Sequence, residues 1–181
     1  MKKKILLSLI ILPFICGLAA FTLLLYPRTD LQPLPDSLIS FASPQGQNLF
    51  VNADAKSDFD ELAENFKTQW LKSYCGVASA VAVLNAMDVQ VTQPTFFNSD
   101  TSSVRSRWKV TFTGMTLEAF GALLQAHGAV ASVRHGGSFT LDEFREIIVR
   151  NFSNDGDYFV VNYQREVLGQ DRVGHISPLS A

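Results

Sequence analysis

From Ile5 to Tyr26 the chain is apolar and uncharged without interruption, behind Lys2, Lys3 and Lys4. As a helix, a run of about 22 residues is about 33 Å long, roughly one bilayer core. Lysines ahead of such a run favour a cytoplasmic N-terminus and put the remainder outside. The pattern predicts a signal-anchor or signal peptide over 1–26. Gly17, Ala19 and Ala20 offer a weak cleavage site, but the run continues through Phe21, Leu23, Leu24 and Leu25, which favours an uncleaved anchor. The expected location is exported, on the periplasmic or extracytoplasmic side, anchored in the inner membrane through residues 5–26. A linker and lead-in is expected over 27–56, where Pro27, Pro33, Pro35 and Pro44 disfavour helix. Its apolar residues suffice to pack against a domain surface.

Beyond residue 57 the periodicity changes. SDFDELAENFK puts Phe59, Leu62, Ala63 and Phe66 on one face, with Ser57 and Asp60 spaced as a capping box, and predicts a helix over about 58–67. CGVASAVAVLNAM is apolar nearly all round, which predicts a buried helix over about 75–87, with Ser73 as a cap. Residues 88–115 read as loop. Thr116 opens a helix that Gly128 ends. AVASVRH alternates and predicts a strand over 129–135, followed by a Gly136–Gly137 turn. Thr140 and Glu143 form a capping box for LDEFREIIVRNF. DYFVVNYQ predicts a strand, GQDRVG a turn, and HISPLSA a further strand. Helices come early and strands late, so the expected class is α+β.

With 181 residues the chain is long enough for one domain with a core, and its net charge of −2 with no long basic run argues against nucleic acid as a partner. There are two cysteines, Cys16 within the apolar N-terminal run and Cys75. An unpaired thiol in an oxidising compartment is a liability, and too few Cys and His cluster for a structural zinc site. Cys75 is therefore a packing residue or a reactive thiol.

A reactive thiol is helped by a helix N-terminus, needs a base, and needs donors for the oxyanion. Cys75 opens the predicted buried helix. Gln69 precedes it with the spacing of a papain-type oxyanion glutamine. Of the three histidines, His127 reads as a helix C-terminal residue and His135 as an exposed strand end. His175 opens the last strand, and is either a surface residue or the base.

SYCGVASAVAVLNAM, FFNSDT, GMTLEAFGALLQAHGA, FVVNYQREVLGQ and DRVGHISPLSA, in that order, resemble the phytochelatin synthase family in its short bacterial form. The resemblance runs from about Asp36 to Ala181. It implies a papain-like cysteine protease fold, a helical half followed by an antiparallel sheet half, as the catalytic domain over 57–181. It also implies action on glutathione: a cysteine attacks the Cys–Gly carbonyl, glycine leaves, and a γ-glutamylcysteinyl thioester passes to a second glutathione or to water. Carried over, Cys75 is the nucleophile, His175 the base and then the acid, and Gln69 the oxyanion donor. Arg172, Gly174, Asn162 and Tyr163 would wall the acyl pocket. Arg172 would suit a glutamyl carboxylate, or be a solvated turn residue.

No intrinsic cofactor or metal site is expected. Heavy-metal ions such as Cd or Zn enter as glutathione-thiolate complexes. Glutathione and γ-glutamylcysteinyl peptides are the expected partners, and a homodimer is left open. The family's triad ends in an Asp on a strand after the HISPL stretch, and no residue here matches it; Asp171 precedes the histidine and lies in the wrong place. The expectation is a C-terminally truncated domain, either a fragment of a longer reading frame or a decayed, inactive copy. Another papain-like cysteine peptidase is the remaining alternative. SRWKVTFTGMT departs from the family's pattern, and nothing in the sequence explains it.

Overall fold

The computed structural model describes residues 2–26 and 33–181, with side chains from Ile11 onward, Leu24 excepted. Residue 1 of the expected anchor and 27–32 of the expected linker lie outside the described residues. The architecture is α+β. Among the described residues it comprises eight α-helices, two short 3-10 turns and one two-stranded sheet.

Helix α1 (Lys2–Leu25) forms over the N-terminal apolar run. Among the described residues, no helix is long and apolar enough to cross a membrane.

The lead-in contains a helix although its prolines disfavour one. In α2 (Pro44–Val51), Pro44 stands in the first turn, where its missing N–H costs nothing. Ser43 Oγ caps the helix by accepting from Gly46 N at 3.0 Å. Lys56 Nζ closes its other end, donating to the Phe50 and Val51 carbonyls at 2.9 and 2.8 Å. Phe41, Phe50 and Phe59 pack together, with ring centroids 4.3 to 5.7 Å apart, and join this segment to α3 (Phe59–Asn65).

Helix α3 is shorter than expected, and Ser57 does not cap it. The Ser57 hydroxyl instead donates to the Phe152 carbonyl at 2.7 Å, and Asp58 occupies the cap position without a side-chain capping bond. Asp58 is 1% exposed, and among the described residues its Oδ2 has no partner. Burial, reinforced by Glu61, Asp157 and Asp155 and opposed by the Ser57 hydroxyl, pushes its carboxyl up to about 6.

Helix α4 (Cys75–Ala86) forms as expected and is the centre of the core. Every residue from Gly76 to Leu84 is buried. Val77, Ala80, Val81 and Leu84 meet Phe96, Val110, Phe120, Leu123 and Ile176. The stretch 88–115 is not a continuous loop. It holds α5 (Ser99–Val104), with an Asn98–Thr101 capping box, and α6 (Arg107–Thr113), capped by Ser106. Both are about two turns or less, too short for periodicity to reveal.

Helix α7 (Leu117–Ala126) is capped by Thr116, and Gly128 follows at φ +92°, as the sequence predicts. The strand expected over 129–135 does not form. This segment runs beside α7 instead, where Gln125 Nε2 donates to the Ala131 carbonyl at 3.0 Å and Val133 lies over Gly121. Alternation gives it a strand's pattern, but among the described residues no neighbouring strand completes a ladder. Helix α8 (Leu141–Asn151) carries the predicted Thr140–Glu143 capping box.

Strands β1 (Phe159–Gln164) and β2 (Gly174–Leu179) pair antiparallel, with Tyr163 opposite His175 and Asn162 opposite Ile176. Arg165 N donates to the Val173 carbonyl at 3.0 Å, which sets the ladder's phase. His175 and Ser177 therefore bond to β1, while the backbone groups of Ile176 and Pro178 point away from it. Proline at an outward position sacrifices no ladder bond.

Candidate active site

Cys75 is the first residue of α4, and no side-chain oxygen caps that end. The first-turn N–H groups are thus left for an acceptor from outside the helix, and a negative charge is favoured there. The chain approaches Cys75 along a loop fastened at several points. Gln93, buried, accepts from Trp70 N at 2.8 Å and donates to the Thr68 carbonyl at 2.8 Å. Ser73 does not cap α4 as expected; its hydroxyl donates to the Thr111 carbonyl on α6 at 2.7 Å. Tyr74 places its hydroxyl 3.2 Å from Thr111 Oγ1. Gly76 admits Met115, since a Cβ there would stand 2.6 Å from the Met115 sulfur. Cys75 is left half-buried at the rim of the core.

Gln69 reaches this loop, but its amide turns inward. Nε2 donates to the Leu71 carbonyl at 3.0 Å and to the Lys72 carbonyl at 2.7 Å. Both of its protons are engaged, so an oxyanion would have to displace one of these carbonyls.

His175 faces Tyr163 across the hairpin, ring edge to ring face, with centroids 5.7 Å apart. Burial, and then the Arg165 charge, hold its imidazole below the ordinary value. It is therefore neutral at neutral pH and able to take a proton. Burial pushes the Tyr163 phenol up, Arg165 opposes this, and Cys75 adds to it.

Between the two halves runs one buried bond: Ser79 Oγ, a helical turn beyond Cys75, donates to the Ile176 carbonyl at 2.9 Å. The structure thus joins the helix that Cys75 opens to the strand that holds His175, with Tyr163 opposite His175. No hydrogen bond joins the thiol to the imidazole; such contacts often tighten only when substrate binds.

The other expected pocket residues sit further out. Gly174 and Asn162 are exposed and adjacent, Asn162 Oδ1 lying 3.9 Å from where a Gly174 Cβ would stand. The Arg172 side chain is 81% exposed, 3.5 Å from Glu166 Oε2, and is a solvated turn residue in this structure. His127 Nε2 carries its proton toward the Phe96 carbonyl at 3.0 Å, and His135 pairs with Glu118 on the surface at 2.8 Å. Neither belongs to the site. A groove of about 510 Å³ along α8, lined by Arg134, Phe139, Glu143 and Arg150, includes neither Cys75 nor His175. Among the described residues, no group of three or more His, Cys, Asp or Glu is arranged to hold a metal ion.

Three residues at the site escaped the sequence reading. Ser79 is a polar position in an otherwise apolar helix face, which was the available signal. Gln93 and Arg165 carried none, because their partners are brought near only by the tertiary fold.

A cysteine opening a buried helix, with a neutral histidine on a strand pinned to that helix, supplies the parts of a thiol nucleophile and its base. The pattern of the family described as phytochelatin synthase matches residues 29–181, and the chain belongs to that family. Among curated relatives it is 28% identical over 150 residues to glutathione gamma-glutamylcysteinyltransferase 3 of Lotus japonicus, covering 78% of this chain and 31% of the relative. It is 29% identical over 164 residues to glutathione gamma-glutamylcysteinyltransferase 1 of the same plant, covering 86% and 32%. To the glutathione gamma-glutamylcysteinyltransferase of Schizosaccharomyces pombe it is 24% identical over 155 residues, covering 81% and 37%. The chain thus spans about a third of the length of these relatives.

Proposed function

We propose that this chain carries the acyl-transfer site of a glutathione γ-glutamylcysteinyltransferase. Cys75 Sγ attacks the carbonyl of the Cys–Gly bond of glutathione, its proton passing to His175. The C–N bond breaks as His175 returns that proton to the leaving amine, and glycine departs. The resulting γ-glutamylcysteinyl thioester is taken by the amine of a second glutathione or by water. The observation that carries this reading is the Ser79–Ile176 bond, which ties the helix opened by Cys75 to the strand that holds His175.

The backbone N–H of Cys75 is the first oxyanion donor, and Gln69 the second once its amide turns from the loop carbonyls. Tyr163, Asn162 and Gly174 would line the acyl site, and Arg172 could swing from Glu166 to a glutamyl carboxylate. A papain-like arrangement is supported by the order of the parts, with the cysteine helix first and the histidine hairpin last. Heavy-metal ions would enter as thiolate complexes of the substrate. For residues 1–26 we propose an anchor that holds the domain on the extracytoplasmic side, supported by α1 and by the three lysines at its start.

The test uses the full chain in detergent with glutathione, following free glycine and the intact mass of the protein. Glycine release with a γ-glutamylcysteinyl adduct on the parent, and neither on Cys75→Ala, is the expected result. Equal glycine release by a folded Cys75→Ala protein would end the reading.

A further inference from the structure

We infer that Ser79 is a positioning residue, fixing the strand that carries His175 against the helix that presents Cys75; this rests on the reading of those two residues given above. Ser79 is the one polar residue in the buried run Gly76–Leu84 of α4. A serine inside a helix ordinarily bonds back to the carbonyl four residues earlier, here that of Cys75 itself. Ser79 instead donates across the core to the Ile176 carbonyl.

That carbonyl is one the hairpin cannot satisfy. The Arg165–Val173 bond sets the ladder so that Ile176 faces away from β1. Without the Ser79 hydroxyl it would be an acceptor with no protein donor beside a residue only 2% exposed. The bond also fixes register. A two-stranded sheet is marginal by itself, and a slip of one residue would carry every side chain of β2 to the opposite face. His175 would then leave Tyr163 and the Cys75 end of α4. Among the described residues, Ser79–Ile176 is the one side-chain hydrogen bond between α4 and β2. One hydroxyl therefore sets both where the strand lies and which face its histidine presents.

The experiment reads the alkylation of Cys75 by iodoacetamide against pH, in the full chain carrying Cys16→Ser so that one thiol reacts. The parent is compared with His175→Ala, Ser79→Ala and Ser79→Thr, with folded fractions followed by circular dichroism. The parent profile is expected to contain an inflection that His175→Ala removes. Ser79→Ala should reproduce the His175→Ala profile and react about tenfold more slowly than the parent near neutral pH, the scale of a small misplacement. Ser79→Thr, which keeps the hydroxyl, should return the parent profile. A Ser79→Ala protein whose folded fraction keeps the parent profile overturns the proposal, as does a Thr variant that titrates like the Ala one. If parent and His175→Ala share one profile, the Cys75–His175 reading falls and this proposal with it. If they differ while Ser79→Ala follows the parent, only this proposal falls.

Discussion

Helix α4 and the β1–β2 hairpin each present one half of the site, and they are held by different means. Cys75 stands at the end of a helix buried on all sides, behind a loop that Gln93, Ser73 and Tyr74 fasten to its surroundings. The hairpin contributes one fully buried apolar side chain, Ile176, and reaches α4 through two hydroxyls. Ser79 bonds to Ile176, and Tyr158, just ahead of β1, donates to the Ala86 carbonyl at 3.0 Å. The proposed nucleophile is placed by a core and the proposed base by a few discrete ties. Single substitutions should therefore separate folding from alignment.

The largest effect should come from the core itself. Phe96 is fully buried against α4, and Phe96→Ala is expected to cost about 3–5 kcal/mol. Denaturant unfolding should show the loss, with both halves of the site failing together. Ile176→Ala removes the hairpin's buried anchor and is expected to cost about 2–5 kcal/mol. Here the comparison sharpens: hydrogen exchange should quicken in β1 and β2 while the amides of α4 keep their protection. Equal quickening in both would mean that the hairpin is part of the core's cooperative unit.

Asp58 lies at the N-cap of α3, next to Ser57, which bonds to the segment that leads to β1. Because its folded carboxyl is raised from 3.8 to about 6, the protonated form adds stability that is complete below the lower value and lost as pH rises through the upper one. Asp58→Asn should abolish that decline and leave the protein roughly 1–3 kcal/mol more stable than the parent at neutral pH. Unfolding curves at several pH values decide it. His175 works in the opposite direction. Its lowered value means that stability is present above the ordinary imidazole range and lost as pH falls through the folded value. The smallest effect is reserved for Tyr158→Phe, which deletes one tie between hairpin and helix and should cost about 1 kcal/mol. Its loss should appear in the exchange of β1 before that of α4.

What could be read from the sequence follows the same division. The α4 run, the Thr116 and Thr140 caps and both hairpin strands were legible, because each is a local pattern long enough to repeat. Pro44 misled because proline is read as a breaker until its place in the first turn is known. The 129–135 segment misled because alternation records which face is buried, not whether a partner strand exists. Cys75 and His175 were legible as candidates from their places at the ends of elements. The direction of the Gln69 amide was not, since it depends on two carbonyls that the loop brings within reach only when folded.

The outward face of β2 bears on how the sheet can grow. A strand arriving there would find Pro178, which has no proton to give, and an Ile176 oxygen already occupied by Ser79. On the other side of the hairpin, no hydrogen bond among the described residues engages the outward backbone groups of Val160 and Asn162. A further strand would thus meet fewer obstacles along β1 than along β2, where one donor is missing and one acceptor is already engaged.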